Sequence, residues 1–435
     1  MNVSMVGLPD RAEAKRICDR LLSTPVAPGA YSHFINVGTT SILESLDRNY
    51  FESALADGIS CFKYLQGDYG AGKTQFIHCL ASYAWKHQIV TSIVNIGLEC
   101  PFNSPLAIYK SVVSSFLPPA ERGQDPLPKK GIEILMQNWI RKQMESRGWS
   151  EGQEVDSRIR SDVGRAFNDI LFGARDMQAE SGVRALGKML LNMMCGAEPS
   201  VTDTELLGWV RGESIRSTAL RRGYGLNEPV NDQNAFNRLK TIISVLRDRM
   251  GHRGFLIAFD EVRRTASFRR GSIKQKQAIE NMLTMINENA EGEFSGVMFL
   301  YAATPDFRSD VITKYTALND RIGNASFAKG RPMVPFIDLD EVNTDDVITQ
   351  IGERFLAVFA TAYEVEWNRE IQEANLEVLK KAEHKETYKV TPRTFVYHLC
   401  MLLKTQMEKQ RRITDEEAVD FVLSNKLPVE EDSSR

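Results

Sequence analysis

Eight consecutive residues, Gly67-Asp68-Tyr69-Gly70-Ala71-Gly72-Lys73-Thr74, carry the clearest chemistry in this sequence. They match GxxxxGK[ST], the pattern of a loop that cradles phosphates. Glycines allow backbone angles that turn successive N–H groups toward one point. Those groups, with the positive end of a following helix, hold nucleotide phosphates. In this reading Lys73 reaches the β- and γ-phosphates, the Thr74 hydroxyl ligates Mg²⁺, and Gln75 borders the nucleotide. ATP and Mg²⁺ are the expected ligands. The plain alternative is a glycine-rich turn between a strand and a helix, because so short a pattern also arises by chance.

The second element is an acidic pair that follows an apolar run, Phe255-Leu-Ile-Ala-Phe-Asp260-Glu261. Such a run reads as a central strand ending at the ligand edge of a sheet. Asp260 is expected to hold Mg²⁺ through water in the Walker B role. Glu261 is then the general base that polarises the attacking water. A third run ends Ala302-Ala303-Thr304-Pro305. Thr304 is placed to orient that water, as a polar residue does at the strand next to Walker B in P-loop ATPases with an additional strand. Beyond Glu261 the arginines Arg263, Arg264, Arg269 and Arg270, with Lys274 and Lys276, make a basic stretch. A nucleic-acid backbone is one partner for it; a solvated basic loop is the other reading.

These residues need elements to position them. Cys61–Gln66 is strand-like, Thr74–His87 is amphipathic and helical, and Ile89–Ile96 is rich in β-branched residues. Strand–loop–helix–strand is the start of an α/β sheet. From Ser104 to Leu226 helical patterns dominate, with helices expected at Pro105–Phe116, Gly131–Glu145, Arg158–Ala179, Arg184–Met194 and Thr204–Gly212. This stretch reads as an all-α insertion. Strands resume at Gly254–Glu261 and Gly296–Thr304, with a last short one at Met333–Leu339; helices follow to the end, broken near Tyr388–Pro392. The expected divisions are 1–58, an N-terminal helical segment; 59–103 and 230–339, the P-loop core; 104–229, the insertion; and 340–435, a C-terminal helical lid.

The chain has 435 residues, 43% hydrophobic and 26% charged, with net charge −3. That composition is ordinary for a soluble globular protein, and the charge balance gives no support to bulk electrostatic DNA binding. The six cysteines form no CxxC pair, so reduced thiols are expected rather than a disulfide frame or zinc site. No run long enough to span a membrane occurs, and a cytoplasmic protein is expected.

The three chemical elements, in this order, resemble the AAA+ ATPases. The closer likeness is to the P-loop ATP-binding proteins of BREX-type bacterial phage-defence systems, especially the BrxD-like group. It rests on the P-loop with upstream Pro28-Gly29 and Val37-Gly38, Gly208-Trp-Val-Arg-Gly-Glu213, Leu220-Arg-Arg-Gly-Tyr-Gly-Leu226, Phe259-Asp-Glu261, Ala303-Thr-Pro305, Tyr315-Thr-Ala-Leu-Asn-Asp-Arg321 and Thr391-Pro-Arg-Thr-Phe395. The resemblance implies an AAA+-like P-loop core with a helical lid, acting as an ATPase in an oligomer with partner proteins of a defence complex. It implies an arginine finger at Arg321, with Arg331 as substitute, and a sensor-2 arginine at Arg393 opening a lid helix. The sequence departs from the family's pattern after Glu261: where members often continue with another small or acidic residue, it reads Val262-Arg263-Arg264. Two other functions stay open: a nucleotide-gated switch with little hydrolysis, and a DNA-loading ATPase of the origin-recognition type.

Overall fold

The computed structural model describes residues 7–119, 129–169, 176–261, 271–328, 331–386 and 390–427. In chain order the helices and strands are α1 (Arg11–Ser23), α2 (Thr40–Leu46), β1 (Cys61–Gln66), α3 (Lys73–Lys86), β2 (Val90–Asn95), α4 (Pro105–Ser114), β3 (Phe116–Leu117), α5 (Ile132–Glu145), α6 (Ser157–Asp169), α7 (Met177–Met194), α8 (Val201–Val210), α9 (Thr218–Tyr224), α10 (Ala235–Ser244), β4 (Phe255–Asp260), α11 (Ile273–Ala290), β5 (Val297–Ala303), α12 (Pro305–Asp310), α13 (Thr316–Ile322), β6 (Phe336–Asp338), α14 (Leu339–Val342), α15 (Asp345–Tyr363), α16 (Arg369–Glu386), α17 (Pro392–Gln406) and α18 (Asp415–Ser424). The strands form a six-stranded, mostly parallel sheet in the order β3-β2-β4-β5-β1-β6. Among the described residues no helix is long and apolar enough to cross a membrane.

The chain divides into two compact units. One comprises Met1–Ser45, Leu65–Ser82 and Asn324–Arg435; the other comprises Leu46–Tyr64 and Tyr83–Gly323. The second unit is built on β2, β4 and β5. These pair in parallel, with Val90 opposite Phe255 and Phe255 opposite Val297. Every residue of β4 and β5 is buried, as expected for continuous apolar strands covered on both faces. The short β3 joins the edge of β2 antiparallel, with Thr91 opposite Leu117. Two residues with no alternation are too few to announce a strand, which is why the sequence reading makes this stretch wholly helical.

The insertion differs from expectation in its breaks. The expected helix Arg158–Ala179 is two helices, α6 and α7. Asp176 ends the connection as the N-cap of α7, its carboxylate accepting from the N–H groups of Gln178 and Ala179. The next expected break, before Arg184, is absent because α7 runs unbroken to Met194. The Gly208–Glu213 motif acts here in packing. Trp209 lies under the Arg238 guanidinium at 4.7 Å, and Arg238, only 1% exposed, pairs with Asp176 at 3.1 Å. Arg211 pairs with the buried Glu133. Gly212, at φ +88°, passes so close to Tyr109 that a Cβ would lie 2.9 Å from its ring.

In the first unit, one apolar cluster joins the two ends of the chain. Ala14, Ile17, Cys18 and Leu21 of α1 pack with Phe355, Val358 and Phe359 of α15 and Phe395, Leu399 and Cys400 of α17. Helix α1 is fixed at its start by a capping box between Asp10 and Glu13. The six cysteines are free thiols, four of them buried. Burial pushes the Cys18 and Cys61 thiols up to about 12.

Candidate functional site

The residues Gly67–Thr74 all belong to the first unit: Gly67–Gly72 follow β1, and Lys73 and Thr74 open α3. Gly70 and Gly72 adopt φ +84° and +96°, the left-handed region open to glycine. A Cβ on Gly70 would lie 2.7 Å from Thr391 Oγ1 and 3.2 Å from Arg393 Cβ. Gly67 is buried, with Ala71 Cβ 3.0 Å from where its own would stand. Lys73 opens α3, and its ammonium donates to the carbonyls of Gly67 at 2.7 Å and Asp68 at 3.0 Å. Thr74, next on the helix, is exposed. Glycines at positive φ, a helix N-terminus and a lysine folded over the loop are the parts a triphosphate requires. Gln75 turns aside: its side-chain amide donates to the Ser32 carbonyl at 2.5 Å, fixing the helix start to the turn Gly29–Ile35.

Arg393 sits beside this loop, on the first turn of α17. Its backbone N–H donates to Gly70 O at 3.2 Å. Its guanidinium lies 4.8 Å over the Tyr69 ring and donates to the Tyr69 hydroxyl at 2.5 Å. The helix start is held by Thr391 as N-cap and by Pro392. Thr394 Oγ1 donates to the buried Glu383 at 2.9 Å, and the same carboxylate meets His398 Nδ1 at 2.6 Å.

Two more residues touch the loop, and a third touches the strand that leads into it. Asp340 Oδ2 accepts from the Asp68 N–H at 2.9 Å, and Asn343 Nδ2 donates to Ala71 O at 2.9 Å. Asp338, which caps α14, accepts from Gln66 Nε2 at 3.0 Å. Burial raises the Asp338 carboxyl above its ordinary value, helped by the charges of Asp340 and Glu341 and opposed by its hydrogen bonds from the Asp340 N–H and Gln66. An Asp-rich strand-to-helix junction, Asp338-Leu339-Asp340, is the one local hint to this cluster.

The second unit holds the other expected residues. Asp260 ends β4 at 2% exposure, opposite Asn95, and its carbonyl accepts from the Ile96 N–H at 2.9 Å. Its carboxylate accepts from the Glu261 N–H at 2.8 Å. Glu261 lies just past the strand, with φ +57°, a left-handed conformation uncommon for a residue with a long side chain. Thr304 follows β5, is 5% exposed and sets its hydroxyl 3.3 Å from the Asp306 carboxylate. Arg321 is exposed on the last turn of α13. Arg331, of the first unit, is also exposed, and its N–H donates to Ala328 O at 2.7 Å. Arg263, Arg264, Arg269 and Arg270 lie outside the described residues. Among the described residues no cluster of His, Cys, Asp and Glu could by itself hold a metal ion.

A search of curated proteins finds no match to this sequence. A family model does match, over residues 10–421, and its description is BREX system ATP-binding protein BrxC/D. That span takes in both units, the phosphate loop, Asp260, Glu261, Thr304 and Arg393. The chain belongs to the BrxC/D family of ATP-binding proteins of BREX defence systems.

Proposed function

We propose that this protein hydrolyses ATP with Mg²⁺, as an AAA+-type ATPase whose turnover drives assembly or remodelling in its defence complex. In this reading Gly67–Thr74 binds the phosphates and the Thr74 hydroxyl and Asp260 serve Mg²⁺, Asp260 through water. Glu261 takes the proton of the attacking water, and Thr304 orients that water. Arg393 senses the nucleotide from its own chain, while Arg321 acts on the nucleotide of a neighbouring copy, with Arg331 in reserve. The divisions at 58, 103, 229 and 339 assign residues 340–435 to a lid and 104–229 to an all-helical insertion.

One observation carries the hydrolytic part. A buried aspartate ends a central strand and is followed at once by a glutamate in the left-handed region. Backbone strain of this kind persists where the fold holds a residue in place, and it collects at functional sites. For binding, the support is the loop's own geometry together with the close seating of Arg393 on Gly70 and Tyr69.

The test pairs two variants of the purified chain. Lys73→Ala is expected to lose ATP binding, since the ammonium is the loop's only side-chain cation. Glu261→Gln is expected to keep binding and to lose turnover by about 10²–10⁴-fold. Unchanged turnover in both variants would rule the reading out. Tight binding by the wild type with negligible turnover, partners and DNA included, would make it the nucleotide-gated switch instead.

A further inference from the structure

An anion-binding loop must aim its N–H groups at the ligand. In a trans peptide the N–H and the preceding C=O point in opposite directions, so each inward N–H requires an outward carbonyl. Outward carbonyls in turn need donors, because a partly buried backbone acceptor left unpaired is costly. The question is therefore what holds the outer side of this loop.

Three groups do. The Asp68 N–H donates outward to Asp340 Oδ2 at 2.9 Å, and the carbonyl of the same peptide, Gly67 C=O, takes the Lys73 ammonium at 2.7 Å. Ala71 C=O accepts from Asn343 Nδ2 at 2.9 Å, which turns the Gly72 N–H of that peptide the opposite way. Gly70 C=O accepts from the Arg393 N–H at 3.2 Å. Asp340 lies on α14 and Asn343 is the residue that ends it. The helix is itself moored to the last residue of β1, because Asp338 accepts both from the Asp340 N–H at 2.9 Å and from Gln66 Nε2 at 3.0 Å. One short element thus grips the loop at its beginning and near its end, with an acceptor for the N–H and a donor for the C=O.

We propose that Asp340 and Asn343 are positioning residues that set two peptides of the phosphate loop, Gly67–Asp68 and Ala71–Gly72, and so set affinity for the phosphate chain of ATP. The inference rests on the reading of Gly67–Thr74 as the ATP loop. Asp340 orients Lys73 through the Gly67 carbonyl. Asn343 keeps the Gly72 N–H facing the ligand side. Neither side chain needs to touch the nucleotide.

Calorimetric titration of the full chain with ATP and with AMP tests this, because a fault in the loop weighs on three phosphates more than on one. Asn343→Asp sets an acceptor against the Ala71 carbonyl. It is expected to weaken ATP binding about tenfold or more, while AMP binding stays within about threefold of wild type. Asp340→Ala is expected to do the same, and Asp340→Asn, which keeps an oxygen for the Asp68 N–H, to recover most of the loss. If Asn343→Asp does not fold by circular dichroism, Asn343→Ala, which only removes the donor, carries the same comparison. An unchanged ratio of ATP to AMP affinity in the folded Asn343 and Asp340→Ala variants overturns the proposal, as does an Asp340→Asn variant no better than Asp340→Ala. Lys73→Ala in the same series separates the two layers. If the wild type binds no ATP, or Lys73→Ala binds it equally well, the reading of the loop fails. If Lys73→Ala alone loses ATP, the loop stands and the bracket falls.

Discussion

Glu261 holds φ +57° without the freedom of glycine, at a cost of about 1–2 kcal/mol for a residue with a Cβ. Glu261→Gly is therefore expected to stabilise the chain by about 0.5–1 kcal/mol in urea unfolding, after the greater flexibility of glycine in the unfolded chain is set against the relief. It should abolish turnover in the same preparation. A variant no more stable than wild type would mean that the conformation is not strained. Lys63 offers a pH-dependent test. It is fully buried on β1, over the Tyr50 ring at 4.7 Å, and burial lowers its pKa to about 8 from 10.5. Below pH 8 the folded and unfolded states both carry the proton, and the cost of burying the charge is felt in full. Between about pH 8 and 10.5 only the unfolded state keeps the proton, so this residue's contribution to stability rises with pH. Buried thiols such as Cys61 act in the opposite direction above their ordinary value of 9. The measurement is therefore a difference: the unfolding free energy of wild type minus that of Lys63→Met should climb by about 1–3 kcal/mol across the window. A flat difference would mean that Lys63 is not charged and buried as described. The loop Gly67–Thr74 was legible as a strand-to-helix turn because the positive φ at Gly70 and Gly72 demands glycine there. Asp340 and Asn343 were not, because each meets the loop across 272 residues, and the Asp-rich junction near them does not say what it touches.

Helix α7 shows what limits legibility among elements. Gly182 and Gly187 lower helix propensity, and the sequence reading places a break between Ala179 and Arg184. The structure uses these glycines as points of contact. A Cβ on Gly187 would come 2.3 Å from the Phe167 ring of α6, and one on Gly182 2.5 Å from Trp209 of α8. Gly187→Ala is therefore expected to destabilise by about 1–3 kcal/mol, although alanine is the better helix former. A rise in the denaturation midpoint would refute that packing. Long buried strands were the easiest elements to read, since β4 is apolar up to its terminal Asp260 and β5 is an unbroken apolar run that Thr304 follows. The two-residue β3 and the four-residue α14 are set by pairing and capping, which a periodicity cannot report.

At the scale of the molecule, the proposed finger Arg321 is an assembly hypothesis. Its side chain makes no ion pair or hydrogen bond among the described residues, as a group reserved for another copy would not. Mass photometry should show ATP-dependent oligomers in the wild type and their loss in Arg321→Ala, with ATP binding by the monomer retained. Identical mass distributions would remove the finger from the proposal. The joining of the chain's two ends in one apolar cluster has a consequence in time. The face of α1 formed by Ala14, Ile17, Cys18 and Leu21 shares its apolar cluster chiefly with helices α15 and α17. About 320 residues separate α1 from α15. At the usual 5–20 residues per second of synthesis, that is roughly 15–65 s during which the nascent chain carries a greasy helix without its main helical partners. Helix α1, made about 320 residues ahead of α15, is thus among the last elements to be covered, and its safe passage depends on whatever shields it in the interval.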